Sequence, residues 1–391
     1  MKKIVGFLTV LVLLFIALIF FAKSPTTPLA RNLTNEPQYT KTPQERKPLT
    51  GDELQFQVTL PREYKIGIFA KDVTGARDLE FSPNGTLIVS EKEQGRVVAL
   101  PDNDHNGVAD KEIVLLKNLQ NPHGIAFHEG KLFVAEETKI TRYTYDEENF
   151  TATLDKKILD LPKGGLHTTR SLLFDGAGKL YVSIGSTCNV CVEKNPQLAT
   201  VIVTDSNGTS PKVFSSGLRN AVFLALNNNN QIYATEMGRD YLGDNTPPDE
   251  INILSDNGNF GWPYCYGNKI PDTSFSKKSS GFCKDTISPF FELQAHSAPL
   301  GLAFIIGPQF PTDWQGDLLV SFHGSWNRST KTGYKVVRIT TKGTPQMSDF
   351  LTGFLDGNNA IGRPVDIIFD SEGSVFISDD KANRVYKIVK R

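Results

Sequence analysis

Arg363–Asp379 reads RPVDIIFDSEGSVFISD: an apolar strand headed by an arginine, a short Asp/Gly turn, and a second apolar strand. The same unit occurs five times upstream, as ARDLEFSPNGTLIVSE from Ala76, PHGIAFHEGKLFVAEE from Pro122, TRSLLFDGAGKLYVSIG from Thr169, RNAVFLALNNNNQIYATE from Arg219 and PLGLAFIIGPQFPTDWQGDLLVSF from Pro299. Apolar runs broken by Gly, Asn and Asp are hairpin signals, because those residues accept the backbone of a tight reversal. Measured between Phe81, Phe127, Phe174, Leu226, Phe304 and Phe369, the copies are 46, 47, 52, 78 and 65 residues apart. The short spacings suit a blade of four strands, and the long ones a blade with a loop insertion. Six units predict an all-β, six-bladed β-propeller.

In a propeller the innermost strands all begin at one end of the central channel. Arg77, His123, Arg170, Arg219 with Asn220, and Arg363 stand at or just before those beginnings, with His296 a little upstream. Several guanidinium groups gathered at one mouth repel one another unless carboxylates or a bound anion lie between them. The pattern therefore predicts an anionic small molecule on the axis. Single arginines in it also suit structural roles, Arg77 beside Asp78 being the plainest case.

Outward from the repeats, the 391-residue chain carries 42 Lys and Arg against 43 Asp and Glu, a net charge of −1. No overall attraction to nucleic acid or to an anionic membrane follows from that balance. Gly 32, Pro 22 and Phe 25 fit strands and turns, and three Met fit poorly with a helical fold. At the N-terminus Met1-Lys2-Lys3 precedes an apolar run over 4–22. That run is long enough to span a bilayer, and no small-residue cleavage site follows it closely. Residues 1–23 are expected to be a membrane anchor or signal segment, with the anchor favoured, the N-terminus cytoplasmic and the rest of the chain exported. Residues 24–52, rich in Pro with Thr, Asn and charges, read as a stalk, and 53–391 as the propeller.

The four cysteines pair in three ways on paper. Export favours disulfides, and proximity in the chain favours Cys188–Cys191 and Cys265–Cys283. Cys188-Asn-Val-Cys191 is followed by Val192 rather than His, which argues against an attached haem. Asp102, Asp104, Asn106 and Asp110, with Gly107 between them, have the spacing of an oxygen cage for a structural Ca²⁺, but Ile113 stands where a full loop has its bidentate carboxylate. A second acidic loop, Met237 to Glu250, leaves the end of a strand with Gly238, Arg239, Asp249 and Glu250 in it, and suits a hard cation close to the arginines.

Gly217-Leu-Arg-Asn220, Glu236-Met-Gly-Arg-Asp240, Pro248-Asp-Glu-Ile-Asn252 and Gly258-Asn-Phe-Gly-Trp-Pro263 together resemble the sugar dehydrogenases that use pyrroloquinoline quinone (PQQ). His296-Ser-Ala-Pro-Leu-Gly301, His323-Gly-Ser-Trp-Asn-Arg328 and Gly362-Arg-Pro-Val-Asp366 are most similar to the sorbosone dehydrogenase branch. The likeness spans about residues 55 to 390. It implies a tricarboxylate quinone with Ca²⁺ at the channel mouth, a sugar or sugar-derived alcohol or aldehyde as substrate, and an external electron acceptor. It also implies that Arg219, Asn220 and Arg363 contact the quinone, with Arg170 and His123 close by, and that carbonyls of Gly238 and Arg239 ligate Ca²⁺. His167 matches the general base, a role that suits an imidazole near neutral pH, and His123 is the competing base. Where the glucose branch has a quinone-contacting lysine, this chain runs Ser321 to Arg328, so Arg328, or else His323, is expected in its place. The alternatives are a Ca²⁺-dependent propeller lactonase, which would line the mouth with carboxylates and amides, and a non-catalytic cell-surface binding propeller.

Overall fold

The computed structural model describes residues 54, 56–275 and 281–391. The apolar run over 4–22 and nearly all of the stalk lie outside the described residues, and no helix among those described is long and apolar enough to cross a membrane.

Six four-stranded antiparallel sheets follow one another in the chain: Ala76–Leu116, Ile125–Asp160, Leu172–Ser216, Ala221–Leu293, Pro299–Leu351, and Pro364–Lys390 completed by Tyr64–Lys71. These are blades 1 to 6 of a propeller. The ring closes because Tyr64–Lys71 pairs antiparallel with Arg384–Lys390, from Tyr64 opposite Lys390 to Lys71 opposite Arg384. The N-terminal strand is thus the outer strand of the last blade, which removes the free sheet edge that an open ring would leave.

Local chemistry sets each hairpin. In blades 3, 4 and 6 the turn opens on Asp175, Asn227 or Asp370, whose side-chain oxygen accepts the N–H groups two and four residues on. Gly178, Asn230 and Gly373 then take the positive φ that completes each turn.

The core consists of six apolar clusters, one at each blade–blade interface; Ile88, Val97 and Ile125 with Val134, for example, join blades 1 and 2. A second device repeats around the channel. The penultimate residue of the second strand is a hydroxyl in five blades, namely Ser90, Ser183, Thr235, Ser321 and Ser378, and Ala135 in blade 2. In four of those five blades the register of the facing innermost strand slips, between Ala76/Leu79, Ala221/Leu224, Pro299/Leu302 and Pro364/Ile367. The hydroxyls fill the gaps: Ser90 and Ser378 accept the N–H of Asp78 and Asp366. Thr235 donates to the Leu300 carbonyl, Ser321 to Val365 and Ser378 to Arg77, so each links its blade to the next.

Two disulfides form, Cys188–Cys191 and Cys265–Cys283, as the chain spacing favours. The long fourth repeat is explained by residues 255–290, which leave blade 4 before its outer strand and lay Gly258–Asn259 in parallel beside blade 3.

Candidate active site

Strand direction brings two sets of loops to one end of the channel: the segments leading into each innermost strand, and those joining the second and third strands. The second set begins with Lys92, Glu137, Gly185, Met237, His323 and Asp380, one from each blade. The segment 102–110 joins the third and fourth strands of blade 1 and therefore lies at the other end.

On the side of blades 3 and 4, His167 is half-buried and its Nδ1 lies 2.9 Å from the Ser186 carbonyl and 3.0 Å from Ser186 Oγ. That carbonyl accepts a hydrogen bond from Nδ1–H, so Nε2 carries the lone pair. Burial, reinforced by the charge of Arg219, pushes the His167 pKa down to about 4. The imidazole is neutral at neutral pH. Gly185 is the reason His167 and Asn220 sit side by side: a Cβ there would fall 2.6 Å from His167 Cβ and 2.8 Å from Asn220 Oδ1.

Arg219 and Asn220 are both buried. The Arg219 guanidinium donates to the Asn189 carbonyl at 2.9 Å, to Asn189 Oδ1 at 3.0 Å, to Asp240 Oδ2 at 2.8 Å and to the Met237 carbonyl at 3.4 Å. Asp240 extends the chain: its Oδ1 accepts Asn327 Nδ2 at 2.5 Å, and Asn327 reaches His296 Nδ1 at 3.4 Å. Asn189 stands between the two bonded cysteines, so the disulfide loop is the clamp that orients Arg219.

Arg170 is fully buried and donates to three carbonyls, those of Pro162, His167 and Thr169. It staples the loop that carries His167. Fully buried His123 has Nδ1 at 3.3 Å from the Arg170 carbonyl, while its Nε2 is buried without a partner. Burial, with the charges of Arg77 and Lys92 adding, holds its pKa well below the usual histidine value.

On the side of blades 5, 6 and 1, Arg363 donates to the His323 and Gly324 carbonyls at 3.0 and 2.7 Å. His323 Nε2 lies 2.9 Å from Asp380 Oδ1, and Arg77 donates to Asp380 Oδ2 at 2.8 Å. Burial keeps His323 neutral, with its pKa down at about 4 against the pull of Asp380. Burial also acts to raise Asp380, yet its partners hold it well below the usual carboxylate range; with His323 neutral, that charge is Arg77's. Arg328 lies further out and ties two loops together through the carbonyls of Asp244, Ala295 and Thr330.

The acidic loop divides in two. Asp249 is buried and accepts the N–H of Gly238 and of Ala298, both at 2.9 Å; burial pushes its pKa up to about 6. Glu250 accepts Gly267 N–H at 2.7 Å and Asn252 Nδ2 at 3.0 Å, and burial pushes it up to about 7. These carboxylates hold loops together, and Arg239 likewise pairs with Asp272 at 2.7 Å. The carbonyl oxygens of Gly238 and Arg239 accept no hydrogen bond among the described residues. A cavity beside this site is lined by Arg219, Gly238 and Arg239 together with Glu236, Glu250, Trp262 and Asp272. Glu236 Oε2 is buried there without a partner, and burial with the Glu250 charge raises its pKa well above the ordinary value.

In the far loop Asp102 accepts Asn106 and Gly107 N–H, and Asp110 accepts Asn103 N–H. Among the described residues only Cys188, Cys191 and Glu193 bring three acidic, thiol or imidazole ligand atoms within 4.8 Å, and both sulfurs are in a disulfide. Asp102, Asp104 and Asp110 are not gathered in that way. Sequence reasoning missed Gly185, Ser186, Asn189, Asp240, Asp380 and Lys92. Their shared signal is position, since most stand at or just after the end of a second strand.

The chain matches the TrAA12-like family over residues 58–391. It is 29% identical over 364 residues to an uncharacterized protein of Borreliella burgdorferi, covering 87% of this chain and 93% of that one. It is 25% identical over 410 residues to the pyrroloquinoline quinone-dependent pyranose dehydrogenase of Coprinopsis cinerea, covering 86% of this chain and 55% of that enzyme, so it spans about half of that relative's length. The solved holo PQQ domain of that enzyme superposes with a TM-score of 0.74 at 22% identity, over 88% of this chain and 100% of the domain. A calcium structure of the Trichoderma reesei AA12 protein gives 0.76 at 20% identity, again over 88% and 100%. These two superpositions establish a common fold.

Proposed function

This chain belongs to the TrAA12-like family, and from that membership we propose that it is a PQQ- and Ca²⁺-dependent dehydrogenase of sugars or sugar-derived alcohols and aldehydes. The observation that carries the reading is the pairing, at one mouth, of a neutral His167 with an exposed lone pair and a wall of cations from several blades. The residues fit a carboxylated cofactor on two counts. A donor at the mouth lacks a partner, Arg77 Nε being buried and unbonded among the described residues, as expected where an anion or ordered water completes a site. The unpaired Gly238 and Arg239 carbonyls are the hard oxygen donors that Ca²⁺ takes.

In this reading Arg219, Asn220 and Arg363 hold the quinone, and Gly238 and Arg239 hold the metal. The bound quinone would supply the two-electron acceptor, with Ca²⁺ on its oxygens making it more electrophilic. His167 Nε2 takes the proton of the sugar hydroxyl, and the Ser186 carbonyl steadies the imidazolium that results. Arg170 fixes the loop so that this nitrogen stays on target, and Arg219 offsets negative charge that develops beside it. We further read the propeller as exported and tethered by residues 4–22, in keeping with its two disulfides, with electrons leaving to an external carrier.

The test is titration of the purified propeller with PQQ and Ca²⁺, followed by quinone absorbance, then by aldoses and ketoaldehydes with an artificial acceptor. Saturable binding and sugar-dependent reduction support the reading. No binding with Ca²⁺ present sinks it.

A further inference from the structure

The residue that follows the second strand faces the mouth in blade after blade. Gly185 packs against His167 and Asn220, the Met237 carbonyl meets Arg219, and His323 and Asp380 bond each other. In blade 1 that residue is Lys92, which is half-buried. Arg219, Arg170, Arg239 and Arg328 each donate to protein oxygens, and Arg170 and Arg239 also bury an Nε that has no partner among the described residues. Lys92 makes no side-chain hydrogen bond and no ion pair among the described residues. The acids within electrostatic reach of it are Glu93, its neighbour in the chain, with Glu137, which accepts from Asn121 and the Gly164 N–H, and Asp380, which pairs with His323 and Arg77. Arg77 and His123, within electrostatic reach of it, each bury an unpartnered ring or guanidinium nitrogen. Burial and the Arg77 charge both push the Lys92 pKa down, against the pull of Glu93, Glu137 and Asp380.

We infer that Lys92, with Arg77, forms an anion-holding wall on the blade 1 side of the mouth, and that Lys92 supplies the cationic contact to a cofactor carboxylate that segment 321–328 does not. In that segment His323 is paired with Asp380, and Arg328 is committed to carbonyls near the rim. The ligand class is a polycarboxylate, because the ammonium of Lys92 and the guanidinium of Arg77 are separate donors that match several carboxylate oxygens better than one compact anion. The inference rests on the quinone reading above, and it moves the key ammonium from blade 5 to blade 1.

Two probes separate the inference from that reading. PQQ affinity, from absorbance titration with Ca²⁺, is measured for the wild type, Lys92→Gln and Lys92→Arg. Benzene-1,3,5-tricarboxylate, which is redox-silent, is added separately without PQQ and the shift in Tm is recorded. Since Lys92 donates no bond within the protein, both variants are expected to match the wild-type Tm without ligand. Lys92→Gln is expected to weaken PQQ binding about tenfold, or about 1.4 kcal/mol, with Lys92→Arg within about threefold of wild type. The tricarboxylate is expected to raise the Tm of the wild type and not of Lys92→Gln. Equal PQQ affinity in wild type and Lys92→Gln overturns the inference while leaving the quinone reading intact. If the wild type binds no PQQ, that reading fails and the tricarboxylate decides: a Tm rise that Lys92→Gln abolishes keeps the anion wall, and no rise removes it.

Discussion

In the proposed reaction His167 can act as a base only while Nδ1 keeps its proton, and the Ser186 carbonyl 2.9 Å away favours that. Since burial lowers its pKa to about 4 in the free protein, the neutral form dominates above that pH. The acid limb of kcat/KM, which reports the free enzyme, is therefore expected well below pH 6.5, with a plateau through neutrality. His167→Gln should lower kcat by about 10²- to 10⁴-fold, read by steady-state kinetics with the quinone loaded. Gly185 makes a sharper test of geometry. A methyl group there meets His167 and Asn220 at 2.6 and 2.8 Å, whereas one at Gly176 meets nothing within 4 Å. Gly185→Ala should cost about 10²-fold in kcat/KM through displacement of the pair, and Gly176→Ala should match wild type in the same assay. Arg219 with Asn220, and Arg363, were legible because they head innermost strands of the repeat, and His167 through the resemblance to the PQQ sugar dehydrogenases. Gly185 and Asn189 were not, since a glycine and an amide acquire their roles only from what packs against them.

Strands were legible from alternation and turn residues, yet the device that joins the blades was not. Thr235 is fully buried, and its hydroxyl donates to the Leu300 carbonyl at 2.7 Å, across the interface between blades 4 and 5. Thr235→Val keeps the shape and leaves that carbonyl unpaired, so it should cost about 1–3 kcal/mol, measured as a shift in urea midpoint at constant m-value. A penultimate Ser or Thr in five second strands is visible once sought. In the sequence alone it reads as ordinary β-sheet hydroxyl content, because nothing in the chain says that the opposing strand slips register there. The acidic elements behave alike. Asp249 and Glu250 look like cation ligands in a string of letters, and in the fold they accept backbone and amide N–H groups.

Across the whole molecule the channel and interfaces hold many ionisable groups with displaced pKa values, which makes stability depend on pH. Desolvation, with the Asp366 charge adding, lifts Glu80 from 4.5 to about 8. A raised carboxyl stabilises the fold at low pH and loses that contribution as pH climbs through its folded value. His167 and His323, lowered from 6.5 to about 4, act in the opposite sense, but only below about pH 6.5. From pH 6.5 to 8 the carboxyl effect stands alone, so the urea midpoint should fall across that window, and Glu80→Gln should flatten the slope. A midpoint that rises instead would show that these acids are ionised in the fold. By itself the sequence determined the all-β repeat and the six blades, favoured the two cysteine pairs that form, and showed arginines at the starts of several innermost strands, because apolar alternation, turn chemistry and chain spacing are local. Only the tertiary structure decided that Tyr64–Lys71 closes the ring, and which cations are matched and which left over. Arg170, Arg219 and Arg328 meet protein oxygens while the Lys92 ammonium meets none among the described residues, and whether a charge is satisfied depends on groups dozens to hundreds of residues away that only folding brings within hydrogen-bond reach.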